Sequence, residues 1–162
     1  MIRVAVLTVS DGVAAGTRED VSGRTAVDWI DRQGWSLVEH RVAPDERAVV
    51  TRMLTEWSDT TDVDLILTLG GTGFGPRDIT PEATSSVIER RAPGIAEALR
   101  ASGASKMPHA MLGRGLSGIR GRTLIVNLPG SKRAVREGLE LLERVVPHAV
   151  DLLHGRTEHS GN

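Results

Sequence analysis

A glycine-rich segment with a carboxylate inside it carries the most specific chemistry in this sequence. Gly70–Gly73 follows the apolar run Val63–Leu69, and the segment ends in Thr80, Pro81 and Glu82. The apolar run predicts a buried strand, and Thr followed by Pro and an acid is typical of a helix start, with Thr80 as the N-cap. A strand, a glycine loop and a helix in this order predict an anion site, because the N–H groups of the loop and of the first helical turn can face a bound anion.

The carboxylate in this segment is Asp78. It would repel a bound phosphate unless a divalent cation lay between the two groups. Mg²⁺ prefers oxygen ligands and usually takes one or two protein carboxylates together with phosphate oxygens. The segment therefore predicts metal-assisted chemistry on a phosphate, with Asp78 as a metal ligand. Two structural alternatives stay open at this point: Asp78 could form an Asx turn, and the glycines could make a tight turn that binds no ligand.

Composition narrows the class of protein. The chain has 162 residues, of which 40% are hydrophobic and 2% aromatic, and this predicts one domain with an aliphatic core at residues 1–154, followed by a polar tail at residues 155–162. The net charge of −1 gives no global field for nucleic acid or a membrane surface. The absence of cysteine excludes disulfides, thiolate metal sites and a cysteine nucleophile. No stretch has the length of a membrane span or the layout of a signal peptide, so we expect a cytoplasmic protein.

Apolar and helical patterns alternate along the chain. The predicted strands are residues 2–9, 35–42, 64–69 and 123–128, and the predicted helices begin near residues 22, 44, 81, 95, 131 and 147. Residues 10–21 are predicted as a loop, and residues 105–122 as a loop with a short hairpin. Because several strands are apolar throughout, the alternation predicts an α/β fold: a three-layer α/β/α sandwich with a mostly parallel sheet and helices on both faces.

Four loops follow the carboxyl ends of the predicted parallel strands, and in such sheets ligands bind at that edge. These loops contain Ser10 and Asp11, Asp45, the glycine-rich segment, and Pro129–Ser131. The topology therefore predicts that Asp11, Asp45 and Asp78 lie in one cleft, and that Asp45 and Asp78 converge on one bound ion. Asp45 also follows a proline at a predicted helix start, which is typical of an N-cap, and Asp11 is more typical of a residue that shapes a loop.

Six segments in this order resemble the Mog/MoaB family of molybdenum cofactor biosynthesis, and the similarity covers almost the whole chain. Asp45 and Asp78 match the two acids that this family needs for activity, and the Gly70–Gly73 loop and the Asn127–Ser131 turn match its ligand-binding segments. The six segments are Thr8–Asp11 with Gly16, Asp20, Ser22 and Gly23; Val42–Glu46; Leu69–Gly73; Arg77–Ala83; Gly118–Gly121; and Asn127–Ser131.

The resemblance implies an enzyme that adenylylates molybdopterin with ATP and Mg²⁺: AMP is transferred to the terminal phosphate and pyrophosphate leaves. It also implies a homotrimer, with a molybdenum insertase as the expected downstream partner. Asp45 and Asp78 would be the catalytic residues and the metal ligands, and Arg77 and Lys132 are expected to neutralise the pyrophosphate. The residues implied to bind substrate or nucleotide are Ser10, Asp11, Gly70, Gly71, Thr72, Gly73, Arg77, Thr80, Pro81, Glu82, Arg114, Asn127, Pro129, Gly130 and Ser131.

Three positions depart from the family pattern, and two other functions fit the residues. Gly113 replaces a common Ser, Lys132 a common Pro, and Gly12 a common Arg. At Gly113 we therefore expect this chain to lack one hydroxyl contact to the pterin phosphate that the family pattern implies. The first alternative function is a catalytically silent protein that binds or carries molybdopterin. The second is a nucleotide pyrophosphatase related to the competence-damage proteins.

Overall fold

A six-stranded sheet in the order β2-β1-β3-β6-β5-β4 forms the middle layer of the protein. The computed structural model describes residues 1–157. The strands are β1 Arg3–Val9, β2 Ser36–Ala43, β3 Leu65–Leu69, β4 Arg90–Arg91, β5 Ser117–Arg120 and β6 Thr123–Leu128. β2, β1, β3 and β6 are parallel neighbours, whereas β5 is antiparallel to β6 and β4 is antiparallel to β5. The prediction of a mostly parallel sheet is confirmed.

Helices cover both faces of this sheet. They are α1 Asp11–Ala14, α2 Val21–Arg32, α3 Arg47–Thr60, α4 Thr80–Val87, α5 Pro93–Lys106, α6 Lys132–Leu142 and α7 Val146–Leu153, with a 3-10 helix at Pro108–Leu112. α2, α5, α6 and α7 pack on one face, and α3 and α4 pack on the other. Among these helices of the described chain, none is both long and apolar enough to cross a membrane.

Alternate residues of the central strands point into two separate cores. In β1, Val4 and Val6 pack with α2, α6 and α7, whereas Ala5 and Leu7 pack with α3 and α4. Because both faces of the sheet are covered, β1 and β3 are buried almost throughout, and their residues are apolar apart from Arg3, Thr8 and Thr68. Two cores separated by one sheet make the three layers that the sequence predicts, so the predicted fold class is confirmed.

The structure differs from the predicted elements at several short places; for example, α3 begins at Arg47 and not near residue 44, and the 3-10 helix Pro108–Leu112 lies in a segment predicted as loop and hairpin. α1 lies inside the predicted loop 10–21; a single helical turn is too short to show an apolar period, and Ser10 caps it by accepting a hydrogen bond from the N–H of Val13 (3.2 Å). β4 has two residues and was not predicted. α5 begins at Pro93, two residues before the predicted start, because proline suits a first helical position whose N–H would have no partner.

The predicted hairpin within residues 105–122 is wrong, because this segment contains a single strand, β5, whose neighbours β6 and β4 lie outside it. β5 and β6 are antiparallel and are joined at Gly121, whose φ of +56° favours glycine. The chain leaves α7 at Leu153, next to the predicted domain boundary at residue 154, which stays a prediction. Residues 158–162 of the predicted tail lie outside the described residues.

Asp64 connects the start of β1 to the end of α7 at the amino-terminal edge of the sheet. Its carboxylate accepts hydrogen bonds from the backbone N–H of Arg3 (2.9 Å) and from the Arg3 guanidinium (3.1 and 2.9 Å), and it lies 2.7 Å from Nε2 of His154. Its side chain is 4% exposed. Burial alone would raise the pKa of Asp64, but the hydrogen bonds from Arg3 and His154 favour the charged carboxylate and lower this pKa to about 2.

We expect Asp64 to make the stability of the protein sensitive to acid. Its pKa in the folded chain, about 2, lies below the ordinary value of 3.8. The charged carboxylate therefore contributes fully to the free energy of unfolding at pH values above the ordinary pKa of 3.8. This contribution, about 2 kcal/mol, is lost as the pH falls to the folded pKa of about 2. Urea unfolding followed by circular dichroism, from about pH 5 to about pH 2, should show this loss in the wild type and not in Asp64→Asn.

The matched control is Asp28→Asn, on the exposed side of α2, which should keep the acid dependence of the wild type. Asn at position 64 also leaves Arg3 and His154 without their anion, so we expect Asp64→Asn to be less stable at neutral pH as well. If Asp64→Asn lost stability in acid as steeply as the wild type, this assignment would be wrong.

Candidate active site

The loops at the carboxyl edge of the parallel strands meet, as the topology predicts. The N–H of Ser10, after β1, donates to the carbonyl of Ala43 at the end of β2 (2.9 Å). The N–H of Gly70, after β3, donates to the carbonyl of Leu128 at the end of β6 (3.0 Å). These bonds join each loop to a neighbouring strand, so the site residues predicted on all four loops lie at one edge of the sheet.

Two glycines of the loop after β3 adopt backbone conformations that other residues rarely take. The φ angle is +100° at Gly70 and +69° at Gly71. A Cβ at Gly70 would collide with the carbonyl oxygen of Val9. A Cβ at Gly71 would collide with the hydroxyl of Thr80 and lie 3.1 Å from Oδ1 of Asp45. The loop therefore needs glycine both for its φ angles and for its close approach to Asp45.

The N–H groups of this loop are available to a ligand. Those of Gly71, Thr72 and Gly73 donate to no acceptor within residues 1–157. Backbone donors without a protein partner beside a cavity are the groups that bind phosphate oxygens in glycine-rich loops. The free N–H groups therefore favour an anion site over the alternative of a tight turn that binds no ligand.

Thr80 is not the N-cap that the sequence predicts. Ile79 occupies that position. Thr80 is buried, its hydroxyl donates to the carbonyl of Gly70 (2.9 Å), and its N–H donates to the carbonyl of Gly71 (3.0 Å). Pro81 is buried as well. Thr80 and Pro81, both predicted to bind a ligand, are thus placed where they support the glycine loop from the protein interior.

Asp11 and Asp45 bind each other's backbone. Oδ2 of Asp45 accepts from the N–H of Asp11 (2.8 Å), and Oδ1 of Asp11 accepts from the N–H of Asp45 (3.0 Å). Arg77 donates to both oxygens of Asp11 (2.6 and 3.1 Å). The alternative interpretation of Asp45 as an N-cap is wrong, because α3 begins at Arg47 with Glu46 in the cap position. Asp11 therefore shapes the loops and positions Arg77.

Asp45 lies in an unfavourable environment for a carboxylate. Partial burial, the largest cause, raises the pKa of Asp45, and the hydrogen bond from Asp11 opposes this. The negative charges of Asp11 and Asp78 raise the pKa of Asp45 further, and the charge of Arg77 lowers it. The net shift is upward. A cation bound beside Asp45 would favour the charged form and reverse this balance.

The glycine-rich segment wraps around Asp78. Oδ2 of Asp78 accepts from the N–H of Gly75 (2.8 Å), and a Cβ at Gly73 or Gly75 would lie only 2.9 Å from this oxygen. Glycine thus lets the backbone close around the carboxylate. Within residues 1–157, Oδ1 of Asp78 and Oδ1 of Asp45 make no hydrogen bond. Each of the two acids therefore keeps one oxygen for a ligand.

Arg114 holds the glycine-rich segment from outside. Its N–H donates to the carbonyl of Thr72, its Nε to that of Gly73 and its Nη2 to that of Asp78, each at 2.8 Å. Nη1 pairs with both oxygens of Glu82 (2.7 and 3.2 Å). Arg114 and Glu82, both predicted to contact a ligand, are thus placed in contacts that hold the loop and orient Asp78.

Asn127 is buried at the end of β6. Its Nδ2 donates to the hydroxyls of Thr68 and Thr84 (both 2.9 Å), and its Oδ1 accepts from the N–H of Leu116 (3.0 Å). All polar groups of this side chain are therefore bound to protein. The arrangement does not support the predicted contact between the Asn127 amide and a ligand; the side chain instead joins β3, α4 and the segment before β5.

Two cavities open beside the glycine loop. The first, called the apolar cavity, has a volume of about 500 Å³ and lies against α5, the 3-10 helix and α6; its walls include Leu99, Met107, Leu112 and Leu141. The second, called the polar cavity, has a volume of about 420 Å³ and lies between the loops after β1 and β2 and the start of α2; its walls include Arg18, Asp20, Asp45 and Lys132.

The two cavities meet at Asp78. The residues that line both are Gly70, Gly71, Asp78, Gly130 and Ser131. Ser131 is the N-cap of α6, as predicted, and its Oγ accepts from the N–H of Ala134 (3.2 Å). Two ligands, one in each cavity, would meet beside Asp78 and the N-terminus of α6, while Asp45 would face only the ligand in the polar cavity.

Asp20, which belongs to the first family segment but was assigned no role, lines the polar cavity. This residue caps α2 by accepting from the N–H of Gly23 (2.9 Å), accepts from the hydroxyl of Thr8 (2.9 Å) and lies 3.0 Å from Nε2 of His40. A signal was present, because Asp20 and Gly23 have the spacing of an N-cap and its bonded N–H.

Two arginines of the cavity walls, Arg18 and Arg100, were missed by sequence reasoning. Neither is part of a local motif, because each reaches the site only through the tertiary fold. Gly12 makes room for Arg18: a Cβ at Gly12 would lie 2.7 Å from Cδ of Arg18. Arg18 thus lies against Gly12, the position at which the family commonly has Arg.

The donor set fits a metal ion only when a phosphate accompanies it. No three Asp, Glu or His side chains of the described chain lie close enough together to hold a metal ion alone. The site offers the free Oδ1 atoms of Asp45 and Asp78 beside the polar cavity. Mg²⁺ commonly binds through one or two carboxylates while phosphate oxygens and water complete its shell.

Comparison with known proteins agrees with this geometry. Residues 5–148 match the family described as "Probable molybdopterin binding domain". The molybdopterin adenylyltransferase of Helicobacter pylori (strain J99) is 37% identical over 156 residues, which cover 95% of this chain and 89% of that protein. Gephyrin of Dictyostelium discoideum is 41% identical over 167 residues, but the chain, 97% of which is covered, spans only 23% of gephyrin.

A solved structure extends the similarity to the fold. The molybdopterin biosynthesis enzyme MoaB of Thermus thermophilus superposes with a TM-score of 0.90 at 44% identity, over 96% of this chain and 98% of that one. The match spans the glycine loop, both acids and the Pro129–Ser131 turn. The chain therefore belongs to the Mog/MoaB family of molybdenum cofactor biosynthesis proteins.

Proposed function

We propose that this protein is a molybdopterin adenylyltransferase that uses ATP and Mg²⁺. An oxygen of the terminal phosphate of molybdopterin attacks the α-phosphorus of ATP, the bond from that phosphorus to the bridging oxygen of the β-phosphate breaks, and pyrophosphate leaves. The observation that carries the proposal is the pair of free carboxylate oxygens, on Asp45 and Asp78, beside a glycine loop where two cavities meet. The activity of the H. pylori relative, which has a comparable length, supports it.

Backbone groups supply part of the positive potential that the reaction needs. Two phosphates that must react repel each other, so the site has to neutralise charge on both and hold them in line. The free N–H groups of Gly71–Gly73 and the N-terminus of α6 behind Ser131 do this at fixed positions. Arg18 and Lys132 add side-chain charge at the wall of the polar cavity, beside the leaving pyrophosphate.

Asp45 and Asp78 would hold the metal ion through their Oδ1 atoms. Mg²⁺ bound there would supply Lewis-acid stabilisation of the charge on the transferring phosphate. Arg77 keeps its guanidinium on Asp11, which fixes the loop that carries Asp45. Asp78 lines both cavities and is therefore the acid nearest to where the two substrates react.

The assembly and the location are proposals that rest on the family. We propose a cytoplasmic homotrimer that binds molybdopterin and ATP and whose product passes to a molybdenum insertase. Met111 and Leu152 are 63% and 49% exposed, and such apolar surface suits contacts between subunits. Gel filtration with light scattering should give three times the monomer mass; a strict monomer would contradict this assembly.

Replacement of Asp78 should separate binding from chemistry. Asp78→Asn keeps the shape of the side chain and one oxygen, but it removes the charge that holds the metal ion. We expect ligand affinity to change little and Mg²⁺-dependent release of pyrophosphate to fall by about a thousandfold or more, as for loss of a main electrostatic group. The measurement is a coupled pyrophosphate assay with purified molybdopterin.

Asp28→Asn is again the control, because it removes a carboxylate that is exposed on α2. Near-normal transfer by Asp78→Asn would remove Asp78 from the mechanism. If the wild type binds molybdopterin and ATP but releases no pyrophosphate at any Mg²⁺ concentration, the silent binding or carrier protein is the better assignment.

The raised pKa of Asp45 predicts a pH-dependent requirement for metal. Protonation removes the negative charge that binds a cation, and the upward shift of this pKa moves protonation toward neutral pH. The Mg²⁺ concentration for half-maximal activity should therefore rise as the pH falls. Asp45→Asn should need more Mg²⁺ at every pH and show a flatter dependence; a dependence as steep as that of the wild type would contradict the role of Asp45.

A further inference from the structure

The apolar cavity contains a cation that the described protein does not neutralise. Arg100, on α5, lines this cavity. It uses one nitrogen, Nη1, to donate to the carbonyls of Gly113 (2.9 Å) and Gly115 (3.4 Å). Within residues 1–157, its Nε and Nη2 donate to no acceptor and no carboxylate pairs with it. A guanidinium carries five N–H donors, so most of its hydrogen-bonding capacity remains available.

Arg114 and Glu137, two other charged side chains near the apolar cavity, are paired by contrast. Arg114 uses Nε, Nη1 and Nη2, all on the glycine-rich segment and Glu82. Glu137, in the α6 wall of the apolar cavity, pairs with Arg133 (3.0 Å) and Lys106 (3.7 Å). The carboxylate on this wall is thus neutralised by two cations, whereas Arg100 has no anion among the described residues.

The shape and the charge of the cavity together indicate the class of ligand. Its aliphatic walls and its volume of about 500 Å³ suit a flat ring system. The guanidinium of Arg100 is partly buried beside apolar walls, and the planar arrangement of its donors matches the oxygens of a phosphate. Gly113 and Gly115, by accepting from Nη1, leave the other edge of the guanidinium available.

We propose that Arg100 is the anion anchor of the apolar cavity and binds the phosphate of a heteroaromatic phosphate ester. This inference rests on the proposed function, because a nucleotide and a pterin phosphate both have this chemistry. Arg100 contacts the bound phosphate, while Leu99, Leu112 and Leu141 contact the ring. It belongs to the ligand-binding residues of the site, in addition to those that the sequence predicts.

The test measures how much the phosphate contributes to binding. Dissociation constants are determined by calorimetry, in EDTA, for AMP against adenosine and for 6-hydroxymethylpterin phosphate against 6-hydroxymethylpterin. In the wild type, the phosphate should improve the affinity of at least one pair by about tenfold. Arg100→Gln should remove most of this gain and change the affinity of the ligand without phosphate by no more than about twofold. Arg100→Lys should keep part of the gain, since it keeps the charge but loses the planar donors.

The matched control is Arg52→Gln, which removes an exposed arginine from α3 on the other face of the sheet. It should keep the full gain from the phosphate. If Arg100→Gln loses the phosphate gain only with AMP, the cavity binds the nucleotide. If it loses the gain only with the pterin phosphate, the cavity binds the pterin. Either result supports the proposal.

Two results would overturn it. The first is a phosphate gain in Arg100→Gln equal to that of the wild type. The second is an equal loss for ligands with and without phosphate, which would mean that Arg100 only holds Gly113 and Gly115. The measurement needs neither metal nor turnover, so an absence of adenylyl transfer would leave it valid. Intact transfer together with an unchanged phosphate gain would contradict the role of Arg100 alone.

Discussion

Repulsion between negative charges is the constraint on which the carboxyl edge of the sheet depends. Asp11, Asp45 and Asp78 come together there, and the proposed reaction adds two phosphate-bearing ligands. The protein offsets part of this charge by placing Arg77 on Asp11 and a backbone N–H on each acid. It leaves one oxygen of Asp45 and one of Asp78 for a cation, and the raised pKa of Asp45 reflects its partial burial together with the charge that remains.

A rigid glycine loop is the second requirement, because donors held in place stabilise charge without reorganising during the reaction. Thr80 holds the loop from the interior and Arg114 holds it from outside. Both residues were also predicted to contact the ligand, and that contact stays a prediction. Arg114 uses its guanidinium on the loop and on Glu82. Arg100 bonds only through Nη1 among the described residues, so its other nitrogens can bind an anion in the apolar cavity.

The fold could be predicted because its signals are local and repeated. A strand buried on both faces, such as β1 or β3, must be mostly apolar, and the helices between the strands have one apolar side. The meeting of Asp45 with Asp78 at one edge also followed from topology, since parallel strands bring their carboxyl ends together. The N-cap prediction for Thr80 was wrong, because its hydroxyl binds the carbonyl of Gly70, which lies near it only in the folded chain. The amide of Asn127 likewise binds Thr68 and Thr84, which are far from it in sequence.

The amino-acid sequence by itself determined the layered α/β architecture, the glycine loop after β3 and the two acids at the sheet edge, because periodicity, glycine and strand order act through near neighbours and simple topology. Only the tertiary structure decided which oxygen of each acid is free, which side chains brace the loop, and that Arg100 lines a cavity with Nε and Nη2 unbonded among the described residues. Hydrogen-bond partners are chosen by distance and direction in the folded chain, and residues far apart in sequence carry no local trace of that choice.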